Sequence, residues 1–267
     1  MPSQQERLPC ALSVSGLDPG GGAGIAADLR AFRAAGVFGC AAITLTTVQS
    51  TNGLLSATPL PSKEVVAMAR EVLRAQDVRA IKVGALGSAA NVKAVAELVR
   101  KHAALPLVVD PVMGASRGRA RLAAEAAVTA LRKELLPRAT LITPNVPEAE
   151  ALTGLRIASL SDAKKAARAL CDLGARAAMV KGGHLAGAQS TDVVAFEDGT
   201  ELALSSVRLP IRTRIHGGGC TLASLIAGRL AHGDELRDAL KWSKRALDRA
   251  LPHLRNVGGE LRVIVFD

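Results

Sequence analysis

Short apolar runs that alternate with longer amphipathic segments constrain the fold of this 267-residue chain more than any other feature. The runs lack the polar–apolar alternation of half-buried strands, so they are typical of parallel strands that are covered on both faces. Amphipathic helices between them supply the crossovers that a parallel sheet needs. We therefore predict an α/β fold in which helices cover both faces of one mostly parallel sheet. The predicted strands span residues 11–15, 41–47, 80–83, 107–110, 140–142 and 177–181.

Capping residues and turns divide the chain into elements. Ser62 and Ser161 are of the type that caps helix N-termini, while Gly36 and Gly174 stand where C-terminal caps are expected. No linker, repeat or low-complexity stretch appears, so we predict one domain over residues 1–267, with residues 1–8 as a frayed tail. Two runs around a Glu-Asp-Gly turn predict a β-hairpin. The hairpin strands span residues 193–196 and 201–204, and the predicted helices span residues 25–35, 63–76, 91–102, 123–136, 162–173, 221–231 and 235–251.

The charge and composition of the chain narrow the class of ligand. The formal net charge of +10 suits an anionic partner. Lysines and arginines are scattered, however, without a block of five or six like charges, and aromatic residues make up only 2% of the chain. We therefore predict a phosphate-bearing small ligand, with neither nucleic acid nor a membrane as partner.

Cysteine usage indicates the compartment. Cys10, Cys40, Cys171 and Cys220 stand far apart, with neither a CxxC pair nor the spacing of a zinc site. The N-terminal ten residues are polar, and no run approaches the roughly 18 apolar residues of a membrane-spanning helix. We expect a reduced, cytoplasmic protein.

A glycine-rich turn, His216-Gly217-Gly218-Gly219-Cys220-Thr221, precedes an apolar segment near the C-terminal end. Three glycines allow successive backbone N–H groups to point to one place, and the start of a helix adds its own free N–H groups. The turn therefore predicts an anion site. A cysteine at a helix N-terminus is biased toward the thiolate, so Cys220 is a candidate base or nucleophile. A flexible turn with a buried cysteine remains the alternative at this point.

Polar residues at the ends of the predicted strands indicate the chemistry, because ligands of such folds lie at the carboxyl edge of the sheet. Asp110 suits Mg²⁺, directly or through water, and Lys181 suits a phosphate. Asn145 and Glu148 lie three residues apart at a helix start, which directs both toward one cleft, although Glu148 also fits a favourable acid of a first helical turn. The glycines at 20–24 match neither a dinucleotide fingerprint nor a phosphate-binding loop. Together these features favour phosphoryl transfer, which needs positioning and charge neutralisation.

Several motifs occur in a consistent order along residues 10–251 and identify a resemblance. They comprise residues 16–19, 21–29, 47–51, 82–86, 110–113, 143–145, 181–185 and 216–222. The chain resembles the hydroxymethylpyrimidine/phosphomethylpyrimidine kinases of the ribokinase-like superfamily.

The resemblance implies a three-layer sandwich and ATP-dependent phosphorylation in thiamine biosynthesis. The acceptor would be 4-amino-5-hydroxymethyl-2-methylpyrimidine, followed by its monophosphate. ATP and Mg²⁺ are the expected cofactors, K⁺ is left open, and we expect a homo-oligomer, specifically a dimer. The implied catalytic residues are Cys220 as the base with Gly217, Gly218 and Gly219 as the anion hole; the substrate-binding residues are Gly16, Asp28, Gln49, Ala85 and Gly114; the nucleotide-binding residues are Asp110, Asn145, Glu148 and Lys181, of which Asp110 and Glu148 would hold Mg²⁺.

The chain also departs from the family pattern. Gly218 replaces the usual threonine, and Gly114 replaces a valine, which enlarges the expected pyrimidine pocket. Arg119 replaces an aspartate, and Arg214 and Ile215 replace an asparagine and a threonine. These departures leave two alternatives open: a pyridoxal kinase-like vitamin B6 kinase, and a non-catalytic module that senses a pyrimidine or a nucleotide.

Overall fold

One nine-stranded sheet organises the chain. The computed structural model describes residues 8–114, 122, 124–184, 189–208 and 214–266. The strands are β1 (Cys10–Leu17), β2 (Phe38–Ser50), β3 (Gly53–Pro59), β4 (Val78–Val83), β5 (Leu107–Val109), β6 (Leu141–Ile142), β7 (Ala177–Val180), β8 (Gln189–Phe196) and β9 (Glu201–Val207). They follow the order β3-β2-β1-β4-β5-β6-β7-β8-β9. The six strands from β2 to β7 in this order are parallel, whereas β3, β8 and β9 extend the edges in antiparallel pairs.

Eight helices cover the two faces of the sheet within the described segments. They are α1 (Gly24–Ala34), α2 (Ser62–Ala75), α3 (Ala89–Lys101), α4 (Glu125–Ala130), α5 (Val146–Thr153), α6 (Leu160–Asp172), α7 (Gly218–His232) and α8 (Leu236–Ala250). Helices α2 to α6 pack on one face, and α1, α7 and α8 pack on the other. This arrangement confirms the predicted three-layer α/β fold with a mostly parallel central sheet.

Burial on both faces explains why the strands read as continuous apolar runs. In β1 and β4, Leu12 and Ile81 enter the core beneath α2 to α6, while their neighbours Ala11 and Ala80 enter the core beneath α1, α7 and α8. All four side chains are at most 1% exposed. Because successive side chains of a strand point to opposite faces, every position must be apolar when both faces are covered.

The predicted N-caps were wrong by one residue at α2 and by two residues at α6. Helix α2 begins at Ser62 itself, with Pro61 in the cap position and no side-chain cap. Helix α6 is capped by Ser159, whose hydroxyl accepts a hydrogen bond from the backbone of Asp162, so Ser161 lies within the first turn. The segment before α6 contains two serines, Ser159 and Ser161, whereas residues 59–61 before α2 are Pro, Leu and Pro and supply no polar cap.

The predicted glycine C-caps are confirmed. Gly36 has φ +85° and Gly174 has φ +110°, each directly after the last residues of a helix. Glycine adopts this left-handed conformation without the Cβ clash that other residues suffer, so it ends helices readily.

A short parallel pair, β10 (Ile215–His216) and β11 (Arg262–Val263), lies outside the main sheet. It brings the C-terminal segment beside the start of α7, where the Arg262 N–H donates to the carbonyl of Arg214 and the Leu261 N–H donates to that of Thr51. The last described residues therefore support the turn that precedes α7.

The parallel strands leave a crevice at their carboxyl ends. The chain runs from β1 to β2 on one side and returns to β4 on the other side of β1, so β1 and β4 flank a topological switch point. Among the described helices, none combines the length and the apolar character needed to cross a lipid bilayer.

Candidate active site

A cleft of about 730 Å³ opens at the carboxyl ends of the parallel strands. It collects residues from the ends of β1, β2, β4, β5, β6 and β7 and from the start of α7. Its lining includes Gly16, Asp18, Gln49, Ala85, Asp110, Gly114, Asn145, Glu148, Lys181, His216, Gly217, Gly218, Gly219 and Cys220. Segments that are far apart in sequence thus meet in one cavity, as the strand-end rule predicts.

The glycine turn is built as an anion-binding helix start. Gly217 has φ +77° and caps α7, and a Cβ there would lie 2.0 Å from the carbonyl oxygen of Gly22. The first bond of the helix runs from the Thr221 N–H to the Gly217 carbonyl at 2.9 Å. The N–H groups of the three residues between them therefore have no acceptor within the helix, and they open toward the cleft.

Lys181 places a positive charge beside this turn. Its Nζ donates to Asp110 Oδ1 at 2.9 Å, and a Cβ on Gly219 would lie 2.8 Å from Nζ. Burial lowers the pKa of Lys181, but the carboxylates of Asp110 and Glu148 outweigh it, so the pKa lies above its usual value. Lys181 is therefore a fixed ammonium that any anion at the turn would contact.

Cys220 differs from the expectation of a thiolate. Burial raises the pKa of the Cys220 thiol well above its ordinary value, and the facing Asp110 carboxylate raises it further. The Lys82 ammonium acts in the opposite direction but does not prevail. In the free protein Cys220 is a protonated thiol, because a carboxylate and a poorly solvated site both disfavour a second negative charge.

Asn145 and Glu148 form a capping box at the start of α5. The Asn145 side chain accepts from the Glu148 N–H at 3.0 Å, and Glu148 Oε2 accepts from the Asn145 N–H at 2.8 Å. Burial raises the pKa of Glu148 to about 7, and although Lys181 acts against this shift, the Asp110 carboxylate adds to it. Both side chains reach the cleft wall, but both are also bound to the helix end.

The donor set of the cleft fits a cation that arrives with phosphates. Among the described residues no group of three or more His, Cys, Asp or Glu side chains is arranged to hold a metal ion. Asp110 and Glu148 offer two carboxylates next to the anion turn. Mg²⁺ retains waters and phosphate oxygens and needs only one or two protein carboxylates, so these two residues would suffice.

The cleft also holds four of the five predicted substrate-binding residues. Gly16, Gln49, Ala85 and Gly114 line it. Asp28 does not reach the cleft: its carboxylate is fully buried and accepts two hydrogen bonds from Lys82 Nζ, at 2.8 and 3.0 Å. The prediction of a direct substrate contact for Asp28 is therefore corrected, because the side chain lies beneath the cleft floor.

Comparison with known sequences decides the family. The profile of the family described as phosphomethylpyrimidine kinase matches residues 18–263. A relative from Haemophilus influenzae named hydroxymethylpyrimidine/phosphomethylpyrimidine kinase is 41% identical over 250 residues, which is 92% of each chain. The chain belongs to the phosphomethylpyrimidine kinase family. The predicted resemblance is confirmed, and the protein is an enzyme of the kinase class.

Solved structures agree with this assignment. A phosphomethylpyrimidine kinase from Clostridium difficile 630 is 34% identical, with a TM-score of 0.79 over 91% of this chain and 99% of that one. A pyridoxal kinase from Staphylococcus aureus, in complex with AMP-PCP and pyridoxal, is 30% identical, with a TM-score of 0.87 over 96% of this chain and 93% of that one. This phosphomethylpyrimidine kinase family member therefore shares its fold with vitamin kinases of two kinds.

The kinase cleft also contains residues to which the sequence analysis gave no role. Asp18 and His216 line it, and both occur inside motifs that carried the resemblance. Their position in those motifs was the available signal. Thr47 and Val112 also line the cleft and lie inside such motifs, whereas Ser15, Leu45 and Leu122 gave no signal, because single small or apolar residues at strand ends are common.

Two departures from the family pattern, at Arg119 and Gly218, differ in what the structure describes of them. The departure at Arg119, within residues 115–121, lies outside the described residues. Gly218 is described, and among the described residues a Cβ there would meet only a methyl group of Ile215 at 3.5 Å, which is an ordinary contact. The glycine at 218 is therefore not required by the packing of the turn.

Proposed function

We propose that the protein transfers the γ-phosphoryl group of ATP to the hydroxymethyl oxygen of 4-amino-5-hydroxymethyl-2-methylpyrimidine, and then phosphorylates the resulting monophosphate for thiamine assembly. The observation that carries the proposal is the meeting of the anion turn, Lys181 and Cys220 in one cleft that Gln49 also lines. The family and its named relatives support the same pair of reactions.

The anion turn and Lys181 would stabilise the transferred phosphoryl group. The free N–H groups at 218–220 and the Lys181 ammonium face the position where negative charge gathers in the transition state. Mg²⁺ bound with ATP neutralises phosphate charge, and Asp110 and Glu148 are the carboxylates that would hold it. Asn145 orients Glu148 through the capping box.

Cys220 would act as the general base. Its sulfur, once deprotonated, takes the proton of the acceptor hydroxyl, while that oxygen forms a bond to the γ-phosphorus and the bond to ADP breaks. Because the pKa of the Cys220 thiol is raised, the thiol must first release its own proton to solvent, and only the resulting thiolate accepts the proton of the acceptor hydroxyl. Cations near Asp110 favour that loss, because they offset the carboxylate that opposes a thiolate.

The role of Cys220 is tested by Cys220→Ala. We expect kcat to fall by about 10²- to 10⁴-fold, the usual contribution of a general base, while the affinity for ATP stays within about twofold. Steady-state kinetics and calorimetry with ATP measure both. Cys171→Ala, at a partly buried cysteine of α6, is the matched control and should retain full turnover. Unimpaired turnover of the Cys220 variant would remove this residue from the role of base.

Pyridoxal is a second candidate acceptor, favoured by the space at Gly114 and by the likeness to pyridoxal kinase structures. A Cβ on Gly114 would meet no atom of the described residues within 4 Å. We expect kcat/KM for the pyrimidine to exceed that for pyridoxal by at least about tenfold in a coupled ADP assay. Gly114→Val should lower pyridoxal turnover more than pyrimidine turnover. A preference for pyridoxal in the unmodified protein would reverse the assignment.

We further propose a homodimer in a reducing, cytoplasmic compartment. The β2–β3 edge exposes two large apolar side chains, Val48 at 57% and Leu55 at 78%, which a partner copy would cover. All four cysteines are free thiols, in line with a reducing compartment. Light scattering of the wild type and of Leu55→Asp tests whether the protein is a dimer in solution.

A role for K⁺ is tested by comparing the turnover rate in K⁺ with the turnover rate in Na⁺.

A further inference from the structure

A buried ion pair joins β8 to α8 behind the segment that carries Lys181. Lys244 Nζ donates to Asp192 Oδ2 at 2.8 Å, and the two side chains are 9% and 5% exposed. Neither residue belongs to the described lining of the cleft, and neither has a part in the proposed phosphoryl transfer. Two charges at this depth lose their contact with water, so further hydrogen bonds must offset that loss.

The second oxygen of Asp192 makes such a bond to the backbone next to Lys181. Asp192 Oδ1 accepts from the Gly182 N–H at 2.9 Å in a buried position. The ladder between β7 and β8 ends at the pair Val180 and Val193, so Gly182 lies beyond the last strand pair. Without the carboxylate this N–H would lose its acceptor, and a buried N–H without an acceptor is unfavourable.

Two consecutive N–H groups therefore fix the backbone at the base of the Lys181 side chain. The Lys181 N–H donates to the Pro144 carbonyl at 2.9 Å, and the Gly182 N–H donates to Asp192. A Cβ on Gly182 would lie 1.8 Å from the Thr191 carbonyl oxygen, so the backbone lies directly against β8. The base of Lys181 is thus anchored between the start of α5 and β8.

Asp192 and Lys181 reach the same face of the sheet. Val194 enters the core beneath α1, α7 and α8, so Asp192, two residues earlier on the strand, points to that face as well. Lys244 of α8 meets Asp192 there, and a Cβ on Gly219 of α7 would lie 2.8 Å from the Lys181 Nζ. The ion pair therefore connects the Lys181 segment to the helix layer that carries the anion turn.

On the basis of the proposed function, we propose that Asp192 and Lys244 are positioning residues for phosphoryl transfer, which set the place of the Lys181 ammonium beside the anion turn. Asp192 acts through the Gly182 N–H, and Lys244 holds the Asp192 carboxylate toward that N–H. A displacement of about 1 Å near the reacting atoms can lower a rate about 10²-fold. Loss of this anchor should therefore reduce turnover although no group that touches the substrate is changed.

Two double variants separate the acceptor oxygen from the ion pair. Asp192→Asn with Lys244→Met removes both charges but keeps an oxygen for the Gly182 N–H, so kcat should fall by no more than about threefold. Asp192→Leu with Lys244→Met removes the oxygen as well, so kcat should fall about 10- to 100-fold, while KM for the acceptor alcohol stays within about twofold. Neither variant leaves an unpaired buried charge, which by itself would endanger folding.

A cycle with Lys181→Met distinguishes positioning from general support of the fold. Lys181→Met alone should lower kcat about 10²- to 10³-fold. When Asp192→Leu and Lys244→Met are added to it, kcat should fall by less than a further twofold, because the group that they position is already absent. The same fold-loss in both backgrounds would show a purely structural role and overturn the inference. Ser206→Ala removes two bonds of 2.8 Å to Asp248 of α8 and is the matched control, with kcat expected within about twofold of wild type.

Amide hydrogen exchange gives a readout independent of activity. The Gly182 amide should exchange at least about tenfold faster in the Asp192→Leu, Lys244→Met protein than in the wild type, while the amides of β7 keep their rates and show that the sheet is folded. Equal exchange at Gly182 in the two proteins would contradict the inference. So would a loss of turnover in the Asp192→Asn, Lys244→Met protein as large as that in the leucine variant.

Turnover is measured with ATP and the pyrimidine alcohol, and with pyridoxal in parallel. If only pyridoxal is phosphorylated, the proposed acceptor is wrong, and the same cycle on pyridoxal still decides the role of Asp192 and Lys244. Phosphorylation of the pyrimidine with equal fold-losses in both backgrounds leaves the proposed function in place and removes the positioning role. Absence of phosphoryl transfer to either alcohol would overturn both.

Discussion

Two adjacent glycines of the anion turn have different physical roles. Gly217 has a left-handed backbone and touches the carbonyl of Gly22, so any side chain there meets strain and a clash. Gly218 is the first helical residue and has room for a side chain. The sequence shows three equivalent glycines, but only the folded turn shows which of them is required.

Alanine at each position tests this difference. We expect Gly217→Ala to lower the free energy of unfolding by about 1–3 kcal/mol and to reduce kcat/KM for ATP at least tenfold, because the backbone N–H groups lose their alignment. Gly218→Ala, the matched control, should change stability by less than about 0.5 kcal/mol or raise it slightly. Urea unfolding and steady-state kinetics measure both. Equal losses in the two variants would contradict the assigned roles.

At the scale of elements, the start of α5 combines helix capping with a buried carboxyl group. Glu148 is 6% exposed and completes the capping box with Asn145, while Asp110 and Lys181 lie nearby. An acid with a folded pKa of about 7 against an ordinary value of 4.5 binds more protons in the folded state between these two pH values. Its contribution to the free energy of unfolding is therefore complete below about pH 4.5 and falls as the pH rises to about 7.

Glu148→Gln removes this dependence while keeping the capping box, because glutamine serves at the same position. In metal-free buffer, the wild type should lose about 2–3 kcal/mol relative to the variant between pH 5 and pH 8, with no further change above. Urea unfolding at a series of pH values measures the difference. A difference that is flat across this range would show that Glu148 is ionised at pH 5 in the folded protein.

The elements of the fold differ in how far the sequence predicts them. The motif Thr-Pro-Asn before Glu148 indicated a helix start, and periodicity predicted the long helices and buried strands. Edge strand β3 and the pair β10–β11 were missed, because short or exposed strands carry little apolar pattern. The pKa of Cys220 and the partner of Asp28 depend on Asp110 and Lys82, residues remote in sequence. Those contacts exist only after folding, so no local pattern predicts them.

At the scale of the whole molecule, one buried ion pair joins the sheet to the helices under the cleft. Lys82 of β4 and Asp28 of α1 are both fully buried, with Nζ and Oδ2 2.8 Å apart. Ser13 of β1 donates to Asp28 at 2.6 Å, and Ser224 of α7 donates to it at 2.7 Å. The pair therefore connects two central strands with the helix that carries the anion turn.

Removal of both partners should destabilise this junction less than the sum of the two single removals. Lys82→Met leaves the Asp28 charge buried with only hydroxyl donors, and we expect a loss of about 3–5 kcal/mol in the free energy of unfolding. The double variant Lys82→Met, Asp28→Asn should lose less free energy of unfolding than the two single variants together, by at least about 1 kcal/mol. The introduced amide still accepts a hydrogen bond from a serine but carries no charge. The exposed pair Glu97–Arg100 of α3, at 2.8 Å, is the control and should show a coupling below about 0.5 kcal/mol. Urea unfolding of both cycles gives the two coupling energies. If they are equal, burial adds nothing to the coupling of the Lys82–Asp28 pair.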